Sequence, residues 1–388
     1  MNGRQGIVAL ICLASLCSLS WAGSTAVRLM DLPGEVQEWD GWHLFQMNHE
    51  NYICLTGFSR MQLWKTDGTP KGTVAFPLDY MEANAQFMGA GTTRFYYRTS
   101  ADSQNWSVWC KHAEKSYPIR LAAQSEPDSL DHVVVDDILY FGTGELWRTD
   151  GTVPGTVCLK KFPKPYINTV QFRVLKSPAN LCSAGKRVVF SAYDEKEGYE
   201  LWRTDGTPQG TCSIDVLSCS QDNDKNMYSP EDFHSLPFSI FPAGGVAIFF
   251  SENAIGKVYQ GGIPAMESEL PMSYYTDGTQ QGTKVLSQEG IYFRPCAIGN
   301  TLFLARMKNL DVLHLDTGAF VHVKTLPGNA GGILNLDGEI GSTAAGSKWL
   351  YFSYKTEEDG CELWCGDGTN LGTKRVVDLF PGPESGTV

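Results

Sequence analysis

The sequence of 388 residues lacks several features that mark common classes of protein. After residue 22 it has no apolar run long enough to cross a membrane, and no long stretch in which apolar residues recur with the 3.6-residue helical period. Its formal net charge is −12, and no cluster of Lys and Arg interrupts the acidic surface. These absences predict a soluble mature protein with little helix, no membrane insertion and no nucleic acid partner.

Motifs for catalysis and metal binding are absent as well. The seven histidines are scattered, no Cys-x-x-Cys pair occurs, and there is no nucleophile elbow, phosphate loop or dinucleotide fingerprint. The sequence therefore predicts no catalytic residue, no metal site and no cofactor. Calcium is the one cofactor with a pattern in its favour, the Asp- and Asn-rich segment 222–226. Met227 and Phe233 stand where an EF-hand needs Gly and Glu, so we interpret this segment as a solvated loop.

The sequence does contain a repeated pattern, Glu-Leu-Trp-x-x-Asp-Gly-Thr-x-x-Gly-Thr, in full form at 200–211. Further good copies occupy 63–73, 145–156 and 362–373. A degenerate copy at 274–283 keeps the turn but has Tyr in place of Trp. Asp-Gly between two apolar alternating segments is the strongest short signal for a β-hairpin, because Gly adopts positive φ without steric cost. Each copy therefore predicts a strand, a tight loop and a second strand.

The repeated turn residues are predicted to be structural, because the Asp carboxylate and Thr hydroxyl can accept hydrogen bonds from nearby backbone donors. An alternative is that the turn aspartates form a ring of calcium ligands, but a blade width would separate them and prevent a shared ion. The residues singled out in this way are Trp64, Asp67, Gly68, Trp147, Asp150, Gly151, Trp202, Asp205, Gly206, Asp277, Gly278, Trp364, Asp367 and Gly368.

Leu201 and Trp202 are adjacent, so they point to opposite faces of one strand, and both faces of the sheet must be covered. Small antiparallel sheets stacked face to face around an axis, as in a β-propeller, meet this demand. The turn aspartates are spaced by units of roughly 40–50 residues, with doubtful copies at 107–111 and 312–318 filling the gaps. We therefore expect an all-β propeller of about seven blades of four antiparallel strands, with six or eight as alternatives, in a single domain over 23–388.

The full pattern resembles the ELWxxDGT repeat, often labelled hyalin-like, of large secreted bacterial and some eukaryotic proteins. The resemblance covers the five clear and two doubtful units, and so nearly all of residues 23–388. It implies an extracellular, propeller-like repeat protein. The ELWxxDGT family has no defined catalytic residues, so the resemblance implies none here.

Residues 1–22 have the features of a secretory signal peptide, with Arg4 in the positive region, an apolar core and a small-x-small cleavage site at 20–22. A lipoprotein with a lipidated Cys17 is the rival interpretation, disfavoured because Leu16 is too bulky for the preceding position. We expect a secreted or extracellular protein, periplasmic in a Gram-negative host. Segments 27–34 and 375–382 resemble each other, and either could supply the strand that closes the ring.

Nine cysteines follow residue 22, and in an oxidising compartment we expect one to three disulfides, with a bridge between Cys212 and Cys219 as one candidate. The segment 260–272 is predicted to be an insertion within one blade and the first candidate for a contact surface, since loops carry function more often than strands do. Asn105 lies in the only N-glycosylation sequon.

Two functions remain open. The first is a secreted, non-enzymatic scaffold for binding or adhesion, which holds a protein or a glycan through its loops. The alternative is a propeller-fold hydrolase or lyase, with a loop-built acidic site near the central axis. The absence of any catalytic motif favours the scaffold.

Overall fold

The computed structural model describes the parts of the chain in which the repeats lie. The described residues are 41–57, 60–76, 85–100, 106–112, 119–124, 131–142, 144–163, 177–196, 198–216, 237–251, 272–287, 293–306, 308–327, 340–345, 348–356 and 360–377. The signal peptide, the candidate closing strand at 27–34, the acidic loop at 222–226, the insertion at 260–271 and the sequon Asn105 lie outside the described residues.

Contacts between residues divide the chain into two compact units. In the described residues the first unit extends to Leu181 and also contains the turn Gly206–Thr211. The second contains Cys182–Asp205 and the residues from Cys212 onward.

The first unit contains three four-stranded sheets. Sheet 1 is β1 (Gly41–Met47), β2 (Glu50–Gly57), β3 (Arg60–Thr66) and β4 (Val74–Phe76). Sheet 2 is β5 (Gln86–Ala90), β6 (Arg94–Ser100), β7 (Trp106–His112) and β8 (Ile119–Gln124). Sheet 3 is β9 (Asp131–Val135), β10 (Ile138–Gly142), β11 (Glu145–Thr149) and β12 (Val157–Lys161).

Four further sheets follow, and they lie in the second unit except for the start of β13 and the turn after β15. Sheet 4 is β13 (Ala179–Ala184), β14 (Arg187–Asp194), β15 (Gly198–Thr204) and β16 (Cys212–Ile214). Sheet 5 is β17 (Pro237–Ala243), β18 (Val246–Ser251), β19 (Met272–Thr276) and β20 (Lys284–Ser287). Sheet 6 is β21 (Phe293–Ile298), β22 (Thr301–Arg306), β23 (Asn309–His314) and β24 (Ala319–Thr325). Sheet 7 is β25 (Ile340–Ala345), β26 (Leu350–Thr356), β27 (Gly360–Gly366) and β28 (Lys374–Val377).

Every sheet contains four strands that are consecutive in the sequence and pair antiparallel with their neighbours. No described residue is helical, and no helix in the described part of the chain could span a membrane. Asp136 and Asp137 join β9 and β10 in a two-residue hairpin turn, and both residues have the positive φ typical of such a turn, 48° and 64°.

Apolar side chains cover both faces of the sheets, so neighbouring sheets within each unit pack directly. Leu201 of sheet 4 lies in one buried cluster with Ala247 and Phe249 of sheet 5. Phe303 of sheet 6 and Phe352 of sheet 7 share another cluster. This packing follows from the adjacent apolar residues of the repeat, which point to opposite faces.

In sheets 2, 3, 5, 6 and 7 the fourth strand carries a β-bulge at the same position of the repeat, whereas the described pairs of sheets 1 and 4 show no bulge there. It falls between Leu146 and Trp147 in sheet 3, and between Leu363 and Trp364 in sheet 7. The same bulge precedes Trp109 in sheet 2, which places the doubtful copy at 107–111 in the register predicted for it. In sheet 6 the bulge falls between Leu310 and Asp311.

The doubtful copy at 312–318 therefore does not share the register of the other copies. With Asp316 as its aspartate, the pattern at 312–318 would put Leu313 at the tryptophan position, whereas the bulge and the pairing of Leu304 with Asp311 place Asp311 there. The apparent Asp-x-Gly match comes from a shorter hairpin, in which the backbone N–H of Gly318 donates to the carbonyl of His314 at 2.7 Å.

No disulfide links any two of the eight cysteines that the structure describes. Cys212 is one of these thiols, and its candidate partner Cys219 lies outside the described residues. Burial raises the pKa of Cys54 and of Cys182 to about 12, so these two thiols are protonated at neutral pH.

Candidate functional site

Each repeat turn is held by its own Asp and Thr side chains. In the first copy, Asp67 Oδ1 accepts hydrogen bonds from the backbone N–H of Thr69 at 2.8 Å and from its hydroxyl at 2.7 Å. The Thr69 hydroxyl oxygen accepts the N–H of Gly72 at 3.0 Å, and the Thr69 carbonyl accepts the Thr73 hydroxyl at 2.7 Å. The carboxylate is therefore occupied by donors of its own turn.

The threonine that precedes the aspartate extends this network. The Thr66 hydroxyl oxygen accepts the N–H of Gly68 at 3.1 Å and lies 2.7 Å from the Thr73 hydroxyl oxygen. Because Thr73 donates its proton to a carbonyl, Thr66 is the donor to Thr73. All the repeated hydroxyls are thus used within the turn.

The same geometry recurs in the later copies. The hydroxyl of the threonine two residues after the aspartate donates to its carboxylate at 2.7 Å for Asp150, 2.6 Å for Asp277 and 2.7 Å for Asp367. This side-chain hydrogen bond, with the backbone N–H of the same threonine, lowers the pKa of Asp67, Asp150 and Asp367 below its ordinary value. In the turn of Asp205, Thr207 makes the matching bonds to Gly210 and Thr211.

The second glycine of the turn is required by the aspartate. A Cβ added to Gly72 would lie 2.0 Å from Asp67 Cγ, and one added to Gly155 would lie 2.0 Å from Asp150 Oδ1. The carboxylate fills the space that any larger residue would need. The aspartate and the second glycine of each copy therefore form one structural unit.

The first glycine of the turn packs on the preceding sheet. A Cβ on Gly151 would lie 2.8 Å from the Cys110 sulfur of sheet 2, and one on Gly278 would lie 3.1 Å from Arg187 Cβ of sheet 4. Both glycines have positive φ, 84° and 79°. By contrast, Gly318 in the short hairpin of sheet 6 has nothing within 4 Å of such a Cβ. The repeat turn, unlike that hairpin, docks on the sheet before it.

Basic side chains of the preceding sheet complete this docking. Arg148 Nη1 donates to the carbonyl of Gly206 at 3.1 Å, and Arg203 Nη1 donates to the carbonyl of Gly278 at 3.2 Å. Arg148 and Arg203 hold the same position of the repeat, so each of these two copies binds the turn of the next copy. Three other basic residues bond turn carbonyls in the same manner, namely Arg94 to Asp150, Arg187 to Asp277 and Lys324 to Thr373.

The tips of the turns differ from copy to copy. Gln280 makes two hydrogen bonds with the backbone of Asp215, and Asn370 donates to the carbonyl of Val323 at 3.0 Å. The other tip residues project outward, and Leu371 is 93% exposed and Val153 57% exposed. The repeated residues thus hold and dock the turn, while the variable tip residues face solvent.

The tryptophans of the good copies lie on the third strands of sheets 1, 3, 4 and 7. Trp202 and Trp364 are buried, whereas Trp64 and Trp147 are half-buried. The Trp364 ring stacks on Phe352 of the neighbouring strand with centroids 6.4 Å apart, an arrangement that contributes about 0.5–1.5 kcal/mol beyond area burial. The tryptophans are thus packing residues of the sheets.

The bulge brings four side chains together at what we call the outer corner of a sheet. In sheet 3 the outer corner consists of Glu145, Trp147, Cys158 and Lys161. Trp147 Nε1 donates to Glu145 at 3.0 Å, and Lys161 Nζ lies 2.6 Å from the same carboxylate. The Lys161 contact is the largest cause that lowers the pKa of Glu145. This outer corner is a tryptophan position closed by an exposed ion pair.

The outer corner of sheet 6 holds different chemistry, formed by Asn309, Asp311, His322 and Thr325. Asp311 Oδ1 lies 2.7 Å from His322 Nδ1, and His322 Nε2 lies 3.1 Å from the Thr325 hydroxyl oxygen. The Thr325 hydroxyl lies 2.9 Å from Asn309 Oδ1. The Asp311 side chain is 10% exposed and the His322 side chain 53% exposed, so the chain of contacts runs from the interior to solvent.

The sequence reasoning missed this group because the copy at 312–318, with Asp316 as its aspartate, lies two residues too late. The available signal was the spacing of Asn309-Leu310-Asp311 after the apolar strand β22, which matches Glu-Leu-Trp in the other copies. Within the described residues, no three His, Cys, Asp or Glu side chains are grouped so that they could hold a metal ion.

Neither a family model nor a curated protein matches this chain. Among solved structures it is similar to the β-propeller domain of the Trilobed protease from Pyrococcus furiosus, with 12% identity over 87% of this chain and 98% of that chain, at a TM-score of 0.43. TolB from Acinetobacter baumannii is 11% identical over 86% of this chain and 77% of its own, at a TM-score of 0.32. Puromycin hydrolase is 11% identical over 89% of this chain but only 56% of its own, at a TM-score of 0.40.

At these identities the similarity concerns the fold alone. The architecture is shown by the seven sheets of four antiparallel strands themselves. The prediction of an all-β propeller with about seven four-stranded blades is confirmed.

Proposed function

We propose that this protein is a secreted propeller scaffold that binds a protein or a glycan through the tips of its repeat turns. The observation that carries the proposal is that, within each turn, the residues that hold the backbone differ from those that face solvent. The repeated Asp, Gly and Thr residues bond to one another and to the preceding sheet, while the tip residues vary and several face solvent. A constant frame that presents variable residues is typical of repeat proteins that bind other molecules. The resemblance to the extracellular ELWxxDGT repeats supports the same proposal.

Exposed apolar residues at two tips are the first candidates for contact with the partner. Leu371 is 93% exposed and Val153 is 57% exposed, on turns whose backbones are held by four or more hydrogen bonds each. A rigid turn loses little conformational entropy when its tip is bound, which favours affinity.

Arrays of glycans and of extracellular proteins test this proposal. The mature wild type, the double variant Val153→Ser/Leu371→Ser and the control Val74→Ser would be applied to the same arrays. Val74 is 51% exposed but lies on the strand β4, outside the tip. We expect hits with the wild type and the control that are lost with the tip variant, at equal melting temperatures. Equal binding by all three proteins, or no hit at all, would contradict the proposal.

A second candidate is a propeller-fold hydrolase, and the observation in its favour is the Asp311–His322–Thr325 group, which lies on strands β23 and β24 of sheet 6 and not in the loop-built acidic site expected from the sequence.

A further inference from the structure

The outer corner of sheet 6 replaces an aromatic pair with polar groups. In sheets 3, 4 and 7 a phenylalanine of the second strand pairs with the repeat tryptophan of the third strand. In sheet 6 the equivalent pair is Leu304 and Asp311, and Asp311 is buried. Burying a carboxylate costs free energy unless it is bonded, and a local departure from an otherwise regular pattern is typical of functional sites.

The bulge makes the group possible by bringing His322 and Thr325 to one side of β24. Residues three apart on a regular strand point to opposite faces. Here Asp311 pairs with His322 and Asn309 pairs with Thr325, because the extra residue falls between the two pairs. Asp311, His322 and Thr325 therefore lie in line, with His322 in the middle.

The distances allow a reactive arrangement of protons. If Asp311 is ionised, it accepts the Nδ1–H of His322, so the Nε2 of a neutral imidazole has a lone pair that faces the Thr325 hydroxyl. The Asn309 amide, 2.9 Å from that hydroxyl, then donates to Thr325 from its NH2 group, since the oxygen and nitrogen of an amide can be interchanged. If His322 is protonated instead, Thr325 donates to Asn309. Both arrangements use the same positions of the heavy atoms.

We propose that Asp311, His322 and Thr325 form a hydrolytic site for carboxylic esters, with Thr325 as the nucleophile. This inference is independent of the binding function proposed for the turn tips. The Thr325 oxygen attacks the ester carbonyl carbon while its proton passes to His322 Nε2. The alcohol then leaves with that proton, and an acyl-Thr325 ester remains. Water attacks this ester, gives a proton to His322, and releases the carboxylic acid as the proton returns to Thr325. Asp311 holds the imidazole in orientation, so it is a positioning residue.

Turnover of 4-nitrophenyl acetate and labelling with a fluorophosphonate test the proposal on the full mature chain. Thr325 is exposed, so Thr325→Val and Thr325→Ser are expected to fold. We expect the fluorophosphonate adduct on the peptide that contains Thr325, and a loss of turnover of about 100-fold or more in Thr325→Val and in His322→Gln. Thr325→Ser retains the activity, because serine keeps the hydroxyl. Asp311→Asn lowers kcat with little change in KM, which a purely structural role would not produce.

Val321→Ala is the matched control, since Val321 is exposed on the same strand and is not one of the three residues of the proposed site. It should hydrolyse the ester at the wild-type rate. If Thr325→Val hydrolyses the ester as fast as the wild type, or if no adduct forms on Thr325, the proposal is wrong. Binding of the wild type and of Thr325→Val to the arrays is expected to be equal, so failure of the hydrolytic site leaves the scaffold proposal untouched.

Discussion

At the scale of single residues, the repeat turn is explained by contacts that require specific side chains. The aspartate accepts two bonds from one threonine, and its carboxylate occupies the space beside the second glycine. The first glycine has a positive φ and packs against the preceding sheet. At Gly151, for example, an added Cβ would meet Cys110 and Arg94. Either requirement alone favours glycine, and together they exclude larger residues.

We predict that Gly151→Ala destabilises the protein more than Gly144→Ala does. Both glycines lie in the third blade with positive φ, 84° and 71°, so both variants carry similar backbone strain. Only the Cβ at position 151 meets other atoms, with the Cys110 sulfur 2.8 Å away, whereas the Cβ at position 144 meets nothing within 4 Å. The difference in the free energy of unfolding should be about 1–3 kcal/mol, as for an overpacked core. Equal denaturant midpoints of the two variants would show that the turn does not dock.

Acid is predicted to weaken the turns. The folded state lowers the pKa of Asp67, Asp150 and Asp367 through bonds from threonine. Their contribution to stability is therefore present above the ordinary Asp pKa of about 3.9 and is lost as pH falls through the lower pKa values of the folded state. When the melting temperature is measured from neutral pH down to about pH 2.5, it should start to decrease once the pH is below about 4.

The triple variant with asparagine at these three positions is the control for the acid effect. Asparagine keeps an oxygen that accepts the threonine bonds but carries no titrating charge. It should therefore show a smaller loss of melting temperature on acidification than the wild type. An identical acid profile would mean that other carboxylates dominate.

At the scale of elements, the turn between the third and fourth strands connects one sheet with the sheet before it. Arg148 and Arg203 occupy one position of the repeat and bond the glycine carbonyl of the following turn. The turn Gly206–Thr211 accordingly belongs to the first compact unit, although its flanking strands belong to the second. The bulge recurs in sheets 2, 3, 5, 6 and 7, and the residues at the outer corner differ between sheets 3 and 6 although the bulge stays at the same position.

We predict that Arg148→Met loosens the turn at 206–211 selectively. The change removes a charged donor from the carbonyl of Gly206, and such a bond contributes about 1–2 kcal/mol. Hydrogen exchange measured by mass spectrometry should become faster in 206–211 and stay unchanged in the distant turn at 366–373. Lys71→Met is the control, because Lys71 is exposed at a turn tip. Uniformly faster exchange, or an equal effect of the control, would argue against a local link.

At the scale of the whole molecule, seven sheets share one topology, and apolar residues cover both of their faces. A sheet of this kind exposes apolar surface if a neighbour unfolds, which makes the stability of one sheet depend on the next. The sequence prediction of a single domain over 23–388 follows the same reasoning.

The single-domain prediction is tested by calorimetry. We expect one cooperative unfolding transition of the mature protein, in which the calorimetric and van't Hoff enthalpies agree. Near-ultraviolet circular dichroism, which reports on the tryptophans, should give the same midpoint. Two resolved transitions would instead indicate that the two compact units unfold as separate domains.

Secretion is predicted from the first 22 residues. When the full gene product is expressed in a secreting host, N-terminal sequencing of the exported protein should begin at or near Gly23. A variant with Arg inserted in place of Leu13 interrupts the apolar core and should block export. Protein that keeps Met1 and remains in the cytosol would contradict the prediction.

The sequence by itself determined the fold class, because its signals are local. Asp-Gly marks a turn, Leu next to Trp marks a strand covered on both faces, and the spacing of the copies indicates the number of sheets. Only the tertiary structure decided how successive copies contact each other, since the hydrogen bond from Arg148 to Gly206 joins residues 58 apart in sequence. It also decided the register of the sixth copy. A bulge adds one residue on one strand only, so neither the spacing of the copies nor the alternation of side chains could place Asp311, His322 and Thr325 side by side.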